Sequence, residues 1–177
     1  MKRNLLISTL CLLGLLLGSG AATAQDKYNF SAAFSAGLGG PLDADEPDPG
    51  IGNTSFQGLF SWITQPRTRV GVRVGQIDMG DELIGNIFDP ELLYATISGE
   101  YRFQESTYQS GVFLGLGIYS LDGANDDDSS LGLTIGFTGD FPVADRWSIL
   151  AELAGHYADL EGAQAFATLH VGVSYHF

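Results

Sequence analysis

Beyond residue 25, hydrophobic and polar residues alternate with a period of two along most of the chain, which is the signature of strands with two different faces. Phe30, Ala32, Phe34, Ala36 and Leu38 share one face, opposite Ser31, Ser35 and Gly37. Phe56, Gly58, Phe60 and Trp62 oppose Ser55, Gln57, Leu59 and Ser61. Val70, Val72 and Val74 oppose Arg69, Gly71, Arg73 and Gly75. The fourth segment sets Leu93, Ala95, Ile97, Tyr101 and Phe103 against Thr96, Ser98, Glu100 and Arg102. The fifth sets Tyr108, Val112, Leu114, Leu116 and Ile118 against Gln109, Gly111, Gly115, Gly117 and Tyr119. Leu131, Leu133, Ile135, Phe137 and Phe141 then oppose Gly132, Thr134, Gly136, Thr138 and Asp140. Trp147, Ile149, Ala151, Leu153 and Tyr157 oppose Ser148, Glu152, Ala154 and His156. Leu169, Val171, Val173, Tyr175 and Phe177 oppose Thr168, His170, Gly172, Ser174 and His176.

Eight such segments result, each about as long as a tilted membrane strand needs to be. Their connections alternate in length. Short turns fall at Gln65-Pro66-Arg67, Gln104 to Thr107 and Pro142 to Asp145. Longer Gly- and Asp-rich links fall near Gly39 to Asn53, Asp78 to Glu91, Asp122 to Ser129 and Ala158 to Ala163. The expected fold is all-β: an eight-stranded antiparallel up-and-down transmembrane β-barrel with both chain ends on the periplasmic side. No linker or shift in composition marks a second domain.

The first residues follow a different rule. Lys2 and Arg3 precede an apolar run from Leu5 to Leu17, and Ala22-Thr23-Ala24 has the small-x-small pattern of a cleavage site. Residues 1–24 therefore read as a signal peptide and residues 25–177 as the barrel domain. The run is too short for a spanning helix. Cys11 lies inside it and follows Leu10, which argues against a lipoprotein. Loss of this segment removes the only cysteine, so no disulfide can hold the exported chain. It also takes the formal charge from −13 to −15, since Lys2 and Arg3 leave with it. So acidic a chain is unsuited to nucleic acid.

The contents of the two faces say which one is buried. The polar face is mostly Gly, Ser, Thr and Ala with a few charges, which suits a narrow lumen better than a water-soluble surface. The other face is apolar along its length. It carries Trp62, Tyr101, Phe103, Phe141, Trp147, Tyr175 and Phe177 toward the strand ends, as an aromatic girdle at a membrane interface would. In hydrocarbon every peptide group needs a partner, so only helices or closed sheets can span.

The ending Leu169-His170-Val171-Gly172-Val173-Ser174-Tyr175-His176-Phe177 resembles the terminal strand of Gram-negative outer-membrane barrels. Gly139-Asp140-Phe141-Pro142 through Trp147 to Glu152, and Gly99-Glu100-Tyr101-Arg102-Phe103, resemble the small opacity-protein-like and OmpA-like barrels. The resemblance implies residence in the outer membrane among phospholipid and lipopolysaccharide. It also implies that Tyr175 and Phe177 serve as a signal for the barrel-insertion machinery, and it requires no cofactor.

The inward face collects Arg69, Arg73, Glu100, Arg102, Asp140, Glu152, His156 and His170. Counted from the strand ends, Arg73, Glu152 and His170 fall near mid-height, and Arg69, Arg102 and Asp140 near the periplasmic mouth. A lumenal network is expected in which Arg73 pairs with Glu100 or Glu152 and His170 neighbours Glu152. Such groups order the interior, or act as a gate if the pairs exchange. The four long links hold acidic residues, including Asp43, Asp45, Glu46, Asp48, Asp81, Glu82 and Asp126 to Asp128, with no Lys or Arg. They would favour divalent cations or basic surface partners. The runs at Asp43 to Asp48 and Asn125 to Asp128 lack the spaced ligands and distal Glu of a dedicated calcium loop.

A structural or surface-interaction role without enzymatic activity is the leading reading. The alternative is a narrow porin-like channel for small or hydrophobic solutes. A lipid A-modifying hydrolase or acyltransferase, which the resemblance allows, would have to use His170, Ser174, His176 and Glu152. All four project into the lumen by strand parity, away from a lipid substrate. The three histidines stand apart on inward positions and do not form a metal set.

Overall fold

The computed structural model describes residues 28–42, 52–65, 67–79, 83–84, 87–88, 90–104, 108–123, 127–160 and 163–177. The expected signal peptide at 1–24 lies outside them, as do most of the acidic residues of the first two long links. Eight long strands form the body: β1 (Phe30–Pro41), β2 (Asn53–Gln65), β3 (Thr68–Asp78), β6 (Glu91–Gln104), β7 (Gln109–Asp122), β8 (Asp127–Ala144), β9 (Trp147–Leu160) and β10 (Ala163–His176). Two short strands, β4 (Leu83–Ile84) and β5 (Ile87–Phe88), pair within the β3–β6 link. The sheet closes in the order β1-β10-β9-β8-β7-β6-β3-β2. Every long strand pairs antiparallel with its neighbours in the ring, and β1 closes it on β10. Phe30 and Phe177 exchange both backbone hydrogen bonds at that seam, at 3.0 and 2.9 Å. Closure leaves no edge strand in the barrel.

The period-two pattern sorts side chains as the alternation requires. Leu114, Ile135 and Phe137 are each 61–62 % exposed on the outer wall, whereas Ser35, Ser55, Gln57, Arg73, Thr96, Glu152 and His170 are buried inside. The apolar side faces out, and a lipocalin-type barrel is excluded.

That rule holds for the terminal end and the middle of the barrel, then reverses. At the end bearing the long links, Ile77, Met79, Leu92, Leu121, Leu160, Ala163 and Phe166 turn inward and form one apolar cluster with Tyr94, Tyr119 and Ala158. On the outer wall at the same level the register sets Asp78 beside Glu91, Glu91 beside Asp122, and Asp122 beside Asp127. The interior is therefore not polar throughout, as its Gly/Ser/Thr content suggested. Apolar-in and charged-out is the arrangement water demands, so this band of strand extends beyond the apolar outer wall.

Two of the expected long links are short. The β9–β10 ladder continues to Leu160 opposite Ala163, leaving only residues 161 and 162 between the strands. The β7–β8 ladder continues to Asp122 opposite Asp127. Loop-like composition there hid strand continuation, because a ladder can run through Asp and Ser where the outer wall meets water.

Inward glycines make room for the large interior side chains. Tyr94 stands over Gly75, its register partner, and Phe113 stands over Gly136. A Cβ on either glycine would come within 2.5 Å of the facing ring. On the outer wall, by contrast, a Cβ on Gly99 would meet nothing within 4 Å. Gly136→Val should therefore destabilise the barrel by about 1–3 kcal/mol through overpacking, while Gly99→Val should stay within about 0.5 kcal/mol of the parent. Urea unfolding in lipid vesicles, followed by the fluorescence of Trp62 and Trp147, measures both.

Candidate functional site

The interior charges separate into two clusters. In the middle of the lumen Arg73, on β3, reaches across to Glu152 on β9, four strands away around the ring. Arg73 Nε donates to both carboxylate oxygens at 3.1 Å and Nη2 donates to Oε2 at 3.0 Å. Both residues are almost wholly enclosed. Gln57 Nε2 donates to Glu152 Oε1 at 3.0 Å, and Tyr94 Oη donates to Gln57 Oε1 at 2.9 Å. Arg73 Nη1 also bonds Ser98 Oγ. The guanidinium lies 3.7 Å from the centroid of the Phe113 ring, whose face is electron-rich. The carboxylate is thus matched by a fork of donors, the geometry that offsets desolvation of a buried pair.

The second cluster lies toward the terminal end. Asp140 Oδ2 is 3.2 Å from Arg102 Nη2 and 3.6 Å from Arg69 Nη2, and His176 Nε2 stands 3.9 Å away. Glu100 Oε1 is 3.6 Å from Arg102 Nε and accepts a 2.9 Å hydrogen bond from Thr138 Oγ1. A cavity of about 150 Å³ opens here, lined by Arg69, Arg102, Asp140, Ser148 and His176 among others. Arg73 therefore meets Glu152 and not Glu100, which belongs to the mouth.

His170 stands beside Glu152 in the β9–β10 register, yet its Nε2 lies 2.8 Å from Ser55 Oγ. His156 lies between Tyr119 Oη, 3.0 Å from Nδ1, and Thr168 Oγ1, 3.2 Å from Nε2, with the Tyr94 ring 5.0 Å off. His176 Nε2 is 2.9 Å from Ser148 Oγ. Among the described residues Ser174 has no side-chain hydrogen bond to His170 or His176, whose Nε2 atoms meet Ser55 and Ser148 instead, so the Ser174 constellation considered from the sequence does not assemble. No group of three or more His, Cys, Asp or Glu among the described residues is placed to hold a metal ion. Sequence reasoning passed over Phe113, Tyr94 and Phe166. Strand parity alone puts Tyr94 and Phe113 inside, a signal that was legible. Phe166 fell between the link read as ending at Ala163 and the strand read as beginning at Thr168.

The seven outer aromatics all lie at the terminal end. They extend a chain of ring contacts: Phe30 with Trp62 at 6.2 Å, Phe30 with Phe177 at 5.9 Å, and Trp147 with Tyr175 at 4.8 Å. Tyr101 meets Phe103 edge-on at 5.5 Å, and Phe141 stacks on Tyr108 at 5.6 Å. No comparable belt occurs at the link end among the described residues.

Removing one partner of the central pair strands the other in the lumen. Glu152→Ala should cost about 3–5 kcal/mol. The double variant Arg73→Met/Glu152→Leu should recover much of that loss, and urea unfolding of both reports the difference.

No protein-family model and no curated protein matches the chain. Solved structures do. Neisserial surface protein A matches with a TM-score of 0.63 at 17% identity, over 84% of this chain and 97% of that one. A major outer membrane protein from Thermus thermophilus gives 0.60 at 13% identity, over 86% and 100%. Ail, the attachment invasion locus protein of Yersinia pestis, gives 0.57 at 15% identity, over 86% and 100%. At such identities the likeness speaks for architecture: the chain has the fold of the small eight-stranded barrels of bacterial outer membranes.

Proposed function

We propose that the protein is an integral outer-membrane barrel, non-enzymatic and closed to solutes, that holds acidic links at the cell surface. The carrying observation is the reversal of polarity along its strands. The wall is apolar around Leu114, Ile135, Phe137 and Leu169, and becomes carboxylate-bearing at Asp78, Glu91, Asp122 and Asp127. A wall that greets hydrocarbon and then water supports insertion with the termini toward the periplasm and the long links outward. The aromatic belt at the terminal end marks one membrane interface, which on this orientation is the periplasmic one.

The contents of the lumen support closure. The Arg73–Glu152 pair crosses it, and the apolar layer of Ile77, Leu92, Leu121 and Phe166 lies between that pair and the links. A solute would have to part both. Eight strands leave room for side chains and little else. The negatively charged rim favours divalent cations and basic surface partners over anions. On the same reading, Tyr175 and Phe177 serve the insertion machinery, and outer-membrane lipid with lipopolysaccharide surrounds the wall.

A folded barrel resists detergent until heated. The exported chain should therefore fractionate with outer membranes and run faster on an unheated gel than on a heated one. A chain recovered from the periplasm as a soluble monomer would reject the reading. In planar bilayers the folded protein should give no reproducible unitary conductance. Stable channels would reject closure while leaving the barrel intact.

A further inference from the structure

The outer wall is broken by a groove of about 580 Å³ on its β3–β6–β7–β8 side. Its floor is Gly99, flanked in register by Val70 on β3 and Leu114 on β7, and its far wall is Val112, Ile135 and Phe137. The groove exists because Gly99 takes an outward position where its neighbours are branched or aromatic. Its volume lies within the range of sites that enclose a ligand (about 300–1,000 Å³).

The groove has a polar end. It terminates at Thr64, Thr68 and Tyr101, beside the β2–β3 turn. Arg67 projects from that turn and donates from Nη1 to Tyr101 Oη at 3.4 Å, its only side-chain hydrogen bond among the described residues. Arg67 is an exposed residue. Thr64 Oγ1 donates to the Thr68 carbonyl at 3.2 Å and stands 3.0 Å from Thr68 Oγ1, which leaves the Thr68 hydroxyl proton to turn toward a ligand. The described cations sort by position. Arg69, Arg73 and Arg102 are buried in the lumen, and Arg67 and Arg146 lie exposed at the terminal end. The link end carries the row Asp78, Glu91, Asp122 and Asp127. The groove thus runs from an apolar trough to a cationic, hydroxyl-bearing tip at one membrane interface.

We propose that this groove is a docking site for one glycerophospholipid of the periplasmic leaflet, with an acyl chain lying over Gly99 and the phosphate held by Arg67 with the Thr68 hydroxyl. The site rests on the membrane orientation argued above. Charge complementarity selects the headgroup, since the guanidinium of an exposed arginine matches a phosphate. Shape selects the chain. Between lipid and protein the gain comes from close packing, because hydrocarbon is no worse a medium than the wall itself. Lipopolysaccharide is disfavoured at this site, because its leaflet borders the carboxylate row at the other end.

Native mass spectrometry of the folded mature chain in detergent, titrated with dipalmitoylphosphatidylglycerol, tests the assignment. The parent should retain one lipid through mild activation. Gly99→Phe should lose that lipid, and the smaller filler Gly99→Val should weaken it. Ala36→Phe, on the opposite wall, should keep it. Arg67→Gln should weaken retention about fivefold, and should leave dipalmitoylglycerol, which has no phosphate, unaffected. Equal retention by parent and Gly99→Phe, with both still showing the heat-dependent gel shift, overturns the site and leaves the barrel standing. A parent with no gel shift overturns the membrane reading and the site with it.

Discussion

The whole structure answers one constraint: a backbone placed in hydrocarbon must find all its hydrogen-bond partners within itself. An unpaired peptide group there costs several kcal/mol. The described part of the chain contains no helix long and apolar enough to cross a membrane. Its strands instead close on one another, and the Phe30–Phe177 exchange completes the ring. Once the sheet is a ring, each residue faces lipid or lumen, and the two-residue repeat assigns it to one of them.

A narrow ring limits what its interior can hold. Tyr94, Phe113, Tyr119 and Arg73 are large, and they fit because Gly75, Gly136, Gly132 and Gly71 lie beside them. The glycines that look merely permissive in the sequence are, on the inner face, the volume into which other side chains pack. On the outer face the same residue type does the opposite, and Gly99 leaves a hollow.

The layers along the axis have distinct chemistry. An ionic mouth around Asp140 gives way to the Arg73–Glu152 bridge, then to the Tyr94–Tyr119–His156 layer, then to the apolar cap around Leu92 and Phe166. Burial of so many polar groups is tolerable because most have partners, and the forked contact between Arg73 and Glu152 is the clearest case. The cap belongs to the part of the barrel where the outer wall has turned acidic. Inside and outside exchange character together, since a strand leaving lipid for water must move its apolar face inward.

Strand number, antiparallel order, the inward placement of Arg73 and Glu152, and the outward placement of the aromatics followed from the sequence. All depend on alternation, which is local and survives any error in register by two. The choice of Glu152 over Glu100 as the partner of Arg73 was beyond it. That choice depends on the stagger of the closed sheet, which sets β3 opposite β9 and gives Glu100 to the mouth. Nor could the pattern reveal the apolar cap, because Asp122, Asp127 and Leu160 look like loop until their cross-strand partners are known. The hollow over Gly99 likewise needed Val70 and Leu114 brought alongside it. Which face a side chain takes is a property of its own strand, whereas what it meets there is decided by other strands that only closure brings together.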